Sequence, residues 1–131
     1  METCKQFILR KDKRWREELS DPIFKGISMK DIGRQGRHFF KREAWTFMPQ
    51  WNHNEKVFVV ERLKKIKTEG TTAHKKGAKI GAIEYRIGYY MLGKIGRMKG
   101  KWTWGQYCPL IPRQDLEKLF SKAKQEKTIL K

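Results

Sequence analysis

Lys94, Arg97, Lys99 and Lys101 fall within eight consecutive residues and run directly into Trp102 and Trp104. Ammonium and guanidinium groups neutralise phosphates and release the counterions condensed on them, the main source of non-specific affinity for a polyanion. Aromatic faces accept unstacked bases, each stack contributing about 1–3 kcal/mol. A second group, Lys75, Lys76 and Lys79, follows Lys64, Lys65 and Lys67. Trp102 and Trp104 are two residues apart, so on a strand they share a face, and at least one belongs to the core. The candidate phosphate contacts are therefore Lys75, Lys76, Lys79, Arg86, Lys94, Arg97, Lys99 and Lys101, with Tyr90 and Tyr107 as candidate stacking platforms.

Residues for other chemistry are present but poorly arranged. His38, His53 and His74 are far apart and show neither HxH nor HxxxH spacing, so no zinc site is expected. Gly93-Lys-Ile-Gly96 lacks the length of a phosphate loop and the Lys-Ser/Thr that ends one. There is no nucleophile elbow, and no cofactor is expected. Glu61 and Glu84 each offer a strand carboxylate, with Asp31 or Glu43 as a distant second, which is raw material for a metal-dependent nuclease. Cations follow both glutamates, and an ion pair on a strand surface explains that pattern more simply.

These side chains need elements to hold them. Tyr85 to Ile95 reads as a strand with Tyr85, Ile87, Tyr89 and Met91 on one face and Arg86, Gly88, Tyr90 and Leu92 on the other. Gly96 to Gly100 is a basic turn, and Lys101 to Leu110 is the returning strand of a hairpin. The glycines at 88, 93, 96, 100 and 105 permit either close backbone approach or turns and bulges. Upstream, Lys5 to Arg10 reads as a short strand, and Asp12 caps a helix ending at Leu19. Ile23 to Gly36 reads as loop with one helical turn. Arg37 to Met48 is a strand with a bulge or an edge position, placing Phe39, Lys41, Glu43, Trp45 and Phe47 together. Pro49 to Asn54 is a turn, Val57 to Lys67 a strand, and Thr68 to Ala82 a flexible basic loop. Pro112 opens a C-terminal helix with an apolar stripe of Leu116, Leu119, Phe120 and Ala123. Asp115 and Glu117 near its start, and Lys122, Lys124 and Lys127 near its end, suit the helix dipole.

The 131 residues give one domain, 1–131, of α+β class. The expected architecture is a small twisted antiparallel sheet or partial β-barrel covered by the C-terminal amphipathic helix. The charge balance, 31 Lys/Arg against 14 Asp/Glu for a net +17, points to a polyanionic partner. Cys4 and Cys108 are expected to be free thiols in a reducing compartment. The sequence shows no signal peptide and no apolar run that would span a bilayer, so a cytoplasmic protein, nuclear if eukaryotic, is expected, with no membrane partner. The reading is a non-enzymatic nucleic-acid-binding module, with DNA slightly ahead of RNA. Its alternatives are a small nuclease or nucleic-acid-processing enzyme, and a basic protein that binds an acidic protein partner.

Overall fold

Val57, Phe58, Val59 and Val60 are consecutive and all fully buried. Successive strand residues point to opposite faces, so a strand with such a run needs a covering layer on each side. The computed structural model, which describes residues 1–31, 33–70 and 79–130, shows both layers. Five strands, β1 (Ile27–Lys30), β2 (Arg37–Gln50), β3 (His53–Glu69), β4 (Ile83–Leu92) and β5 (Trp102–Trp104), pair antiparallel in chain order. The sheet curls into half a barrel. Helix α1 (Cys4–Ser20) packs on one face and α2 (Arg113–Gln125) on the other. The α+β class with a closing helix is as expected.

The second covering helix was not. Residues 4–20 form one continuous helix in place of a short strand followed by a short helix. Its start is a capping box: Thr3 Oγ1 accepts the Gln6 N–H (3.2 Å), and Gln6 Oε1 accepts the Thr3 N–H (2.9 Å). Phe7 and Trp15 are its buried anchors, and polar Lys11 and Asp12 interrupt the stripe between them. Each has a tertiary partner that makes the position tolerable. The Lys11 ammonium lies 5.3 Å from the centre of the Tyr90 ring, and Asp12 Oδ1 accepts the Trp45 indole N–H at 2.8 Å.

In β2, bulges between Phe39 and Phe40 and between Arg42 and Ala44 shift the alternation. Phe40 and Arg42, instead of Lys41 and Glu43, therefore join Trp45 and Phe47 on the α1 face, opposite Lys65, Leu63, Glu61 and Val59 of β3. The segment read as loop contains β1, which pairs with only the first four residues of β2, Arg37 to Phe40. The return strand β5 is three residues long and not ten. Gly105 stops it, its Cα pressed so closely on the Tyr89 ring that a side chain would overlap it.

On the α1 face, Phe7 stacks on Trp102 at 4.9 Å and meets Tyr90 and Phe47, while Trp15 stacks on Phe47 at 5.0 Å. On the α2 face, Phe58 and Val60 pack against Leu119 and Ala123, with Ile87, Tyr89 and Ile129 alongside. Leu116, expected in that stripe, is 44 % exposed; Asp115 is buried instead. Its Oδ2 accepts the Trp51 N–H at 3.0 Å, tying the helix start to the β2–β3 turn. The helix ends at Gln125; two residues on, Lys127 turns the chain with φ +62°, and Arg62 donates to its carbonyl at 2.8 Å. Cys4 and Cys108 are unbonded. Among the described residues no helix is long and apolar enough to cross a membrane.

Candidate nucleic-acid interface

The chain leaves β4 at Leu92 and re-enters the sheet in β5 at Trp102, and the residues between them form a braced tip. The Gly93 N–H donates to the Lys101 carbonyl (2.8 Å), Gly100 to Gly93 (2.9 Å), Lys99 to Gly96 (3.2 Å) and Lys101 to Met98 (2.9 Å). A Cβ at residue 93 would overlap the Met98 carbonyl, so the turn closes only around a glycine. Arg97, Lys99 and Lys101 project from this frame, all exposed, and form no ion pair with any described residue. Lys94 is paired with Glu55. The contrast with α1 is informative. There Arg10, Arg14 and Arg16 are matched to Glu2, Glu18 and Asp12 at 2.7, 3.4 and 2.8 Å.

Lys79 lies at the other end of β4. It sits in a turn pinned to β3, with Gly81 donating to the Lys65 carbonyl at 2.7 Å and Ala82 to the Lys79 carbonyl at 2.9 Å. Lys64 and Lys67 are exposed nearby on β3. At about 3.4 Å per residue, the length of β4 separates this group from the hairpin tip by about 30 Å. Lys79 and the hairpin-tip cations are thus not one patch but lie at the two ends of one strand. Lys75 and Lys76 fall outside the described residues.

Arg86 and Tyr90 belong elsewhere. Glu61 is fully buried on the α1 face and is gripped from both neighbouring strands. Arg86 Nη2 lies 2.8 and 3.1 Å from its two carboxylate oxygens, with Arg86 Nε at 3.2 Å, and Arg42 Nε donates to it at 3.0 Å. Arg42 also reaches Glu18 at 3.3 Å. Each guanidinium lies over an indole ring: Arg42 over Trp15 at 3.7 Å, Arg86 over Trp104 at 4.7 Å. The Trp104 ring in turn lies against Gly88, where any side chain would overlap it. The close backbone approach that Gly88, Gly93 and Gly105 permit is therefore made by the protein's own atoms.

Arg86 is thus spent on a buried carboxylate and not free for phosphate. Tyr90 is 8 % exposed and is packed between Phe7 and Trp104, so it has no face to offer a base. Burial, reinforced by the negative charge of Glu61, pushes its hydroxyl pKa up to about 12. Burial also pushes the Lys11 ammonium down, with Arg10, Arg14 and Arg42 adding repulsion. Burial alone would raise the Asp12 carboxyl, but the hydrogen bonds from Arg16 and Trp45 bring it below its ordinary value. Tyr107 is 80 % exposed and stays available. Trp102 is buried, with its indole N–H on the Glu2 carbonyl at 3.0 Å, and Trp104 is half-buried.

Glu84 is exposed and pairs across the strands with Leu63, one alternation beyond Glu61. Among the described residues, no three His, Cys, Asp or Glu side chains come together. The sequence did carry a signal for the Glu61 network: a lone carboxylate inside the apolar run of β3, facing Arg86 in the neighbouring strand. Comparison of the chain with protein-family models, with curated proteins and with solved structures finds no match.

Proposed function

We propose that this protein binds nucleic acid without acting on it, DNA ahead of RNA, through the cations at the two ends of β4. The observation that supports this most directly is the hairpin tip. Arg97, Lys99 and Lys101 stand exposed and without carboxylate partners among the described residues, on a turn closed by four backbone hydrogen bonds. Cations held on a rigid frame lose less conformational freedom on meeting a phosphate than cations on a loose segment. The spacing of about 30 Å suits an extended polyanion and not a single nucleotide, and approaches the roughly 34 Å of one duplex turn. Tyr107 is the member of the original stacking pair that can still meet a base.

Retention of matched single-stranded and duplex DNA and RNA probes across a salt series tests this reading. The log–log slope is expected to be steep. Arg97→Ala combined with Lys99→Ala should flatten it by nearly two phosphate contacts, about 0.9 each on duplex DNA, at an unchanged melting temperature. A slope near zero for the unmodified protein overturns the proposal.

A further inference from the structure

Trp51 is 56 % exposed, whereas the other four tryptophans are buried or half-buried. Its backbone is anchored, because the Trp51 N–H is held by the buried Asp115 carboxylate. The ring forms one side of a cavity of about 630 Å³ between the β2–β3 turn and the first turns of α1, a volume within the range of small-ligand sites. Ile8 and Leu9 of α1 and Pro49 of β2 supply its apolar surface. Asn52, His53 and Asn54 add hydrogen-bonding edges. His53 Nδ1 accepts the Glu55 N–H at 3.2 Å, which leaves Nε2 as the donor of the neutral ring. The Asn54 side-chain amide has no hydrogen bond to any described residue. Among the described residues no carboxylate lines the cavity, and Lys5, exposed in its wall, forms no ion pair.

The cavity adjoins the hairpin tip. β3 enters the sheet beside the end of β4, with Lys56 opposite Met91, and Glu55 pairs with Lys94. From the α1 side, the Trp102 indole donates to the Glu2 carbonyl at 3.0 Å, and Met1 lies beside Gly100. Lys5 follows Glu2 by three residues. The carboxylates of this neighbourhood are matched, Glu2 to Arg10 and Glu55 to Lys94. Lys5, Arg97, Lys99 and Lys101 are left without carboxylate partners among the described residues, at the same end of the sheet as Trp51.

Resting on the nucleic-acid reading, we propose that this cavity takes one unpaired nucleobase, stacked on Trp51, from a strand whose phosphates lie on Lys5 and the hairpin tip. A base has the planar face that the indole matches, and an edge of donors and acceptors for Asn52, His53 and Asn54. An acidic peptide would match the charges but leave the indole face and those edges unused. In a closed duplex each base is stacked on its neighbours, so the site distinguishes a strand with a free base from a blunt duplex.

The test compares three probes on the full chain: a single-stranded DNA dodecamer, the matched blunt duplex, and a strand of equal length whose sugars carry no bases. The unmodified protein should bind the baseless strand about tenfold more weakly than the intact one. Trp51→Ala should weaken binding of the intact strand about tenfold at an unchanged salt slope, since no phosphate contact is lost. The same variant should bind the duplex and the baseless strand as the unmodified protein does, at an unaltered melting temperature. Trp51→Tyr, which keeps a ring, should retain most of the affinity. Equal binding of intact and baseless strands by the unmodified protein, or a Trp51→Ala penalty that persists on the baseless strand, overturns this inference while a steep salt slope leaves the nucleic-acid reading intact. A slope near zero for every probe overturns both. A leucine–glutamate peptide that binds the unmodified protein and not Trp51→Ala assigns the cavity to protein, and also overturns the inference.

Discussion

On the α1 side of the sheet, Phe7 meets three other rings, and a fully buried glutamate is clamped by two arginines that themselves lie on tryptophans. On the α2 side, Phe58, Val60, Leu119 and Ala123 form a smaller patch, joined by one buried hydroxyl pair, Thr46 and Thr128, at 2.8 Å. The difference concerns how each layer is specified. Aliphatic packing is non-directional and tolerates small shifts. Ring stacking and a carboxylate held at four hydrogen bonds tolerate few, so the α1 face fixes the register between helix and sheet.

The largest effect should come from removing a ring on that face. Phe7→Ala is expected to cost about 3–5 kcal/mol. Leu119→Ala on the other face should fall toward the lower end of its range of about 2–5 kcal/mol, because fewer buried groups surround it. Chemical denaturation of both variants checks the pair, and equal losses would remove the asymmetry between the faces.

Next in size is the buried charge. Glu61→Gln leaves two guanidiniums facing a neutral amide, and about 3 kcal/mol should be lost, the low end for breaking a buried pair, since the Arg86 side chain is 29 % exposed and can turn to water. Replacing Glu61 by Leu together with Arg42→Met and Arg86→Met should recover most of that stability, because all the desolvated charges then leave at once. If the triple variant is as unstable as Glu61→Gln, the network does more than satisfy its own charges.

Alkaline titration probes the same face from Tyr90. Its hydroxyl titrates near 12 in the fold and near 10 in the unfolded chain, so between those values the unfolded chain binds fewer protons. Stability is therefore unaffected by this group below pH 10, falls as pH rises, and has lost about 2–3 kcal/mol by pH 12. Comparing the pH dependence of unfolding with that of Tyr90→Phe isolates the contribution, which the phenylalanine variant should lack. The smallest change belongs to the α2 side. Thr128→Val strands the Thr46 hydroxyl and should cost about 1–2 kcal/mol by thermal unfolding.

The elements were largely legible where a local pattern sufficed. The faces of β4, the strand character of β3 and the closing helix all follow from spacing and propensity. The misreadings in the two helices share one cause, a polar residue whose acceptability depends on something distant in sequence. Lys11 and Asp12 broke the stripe of α1 on paper because the Tyr90 ring and the Trp45 indole that accommodate them come from other strands. Asp115 looked like a dipole residue, yet it is buried because the Trp51 amide meets it there. The capping box at Thr3 and Gln6 was local and could have announced the helix start.

Of the candidate site, Arg97, Lys99 and Lys101 were legible as an exposed cluster, because a glycine-bounded turn dense in lysine and arginine has nowhere to bury its charges. Arg86 and Tyr90 were not, since the β4 face they occupy was known but not what would cover it. By itself the sequence determined the charge, the strand alternation and the closing helix, all set by nearest neighbours along the chain. Only the tertiary structure decided which face α1 would take, where the bulges in β2 would turn Arg42 inward, and that Glu61 would be buried. Those outcomes depend on contacts between residues dozens of positions apart, and no local propensity encodes them.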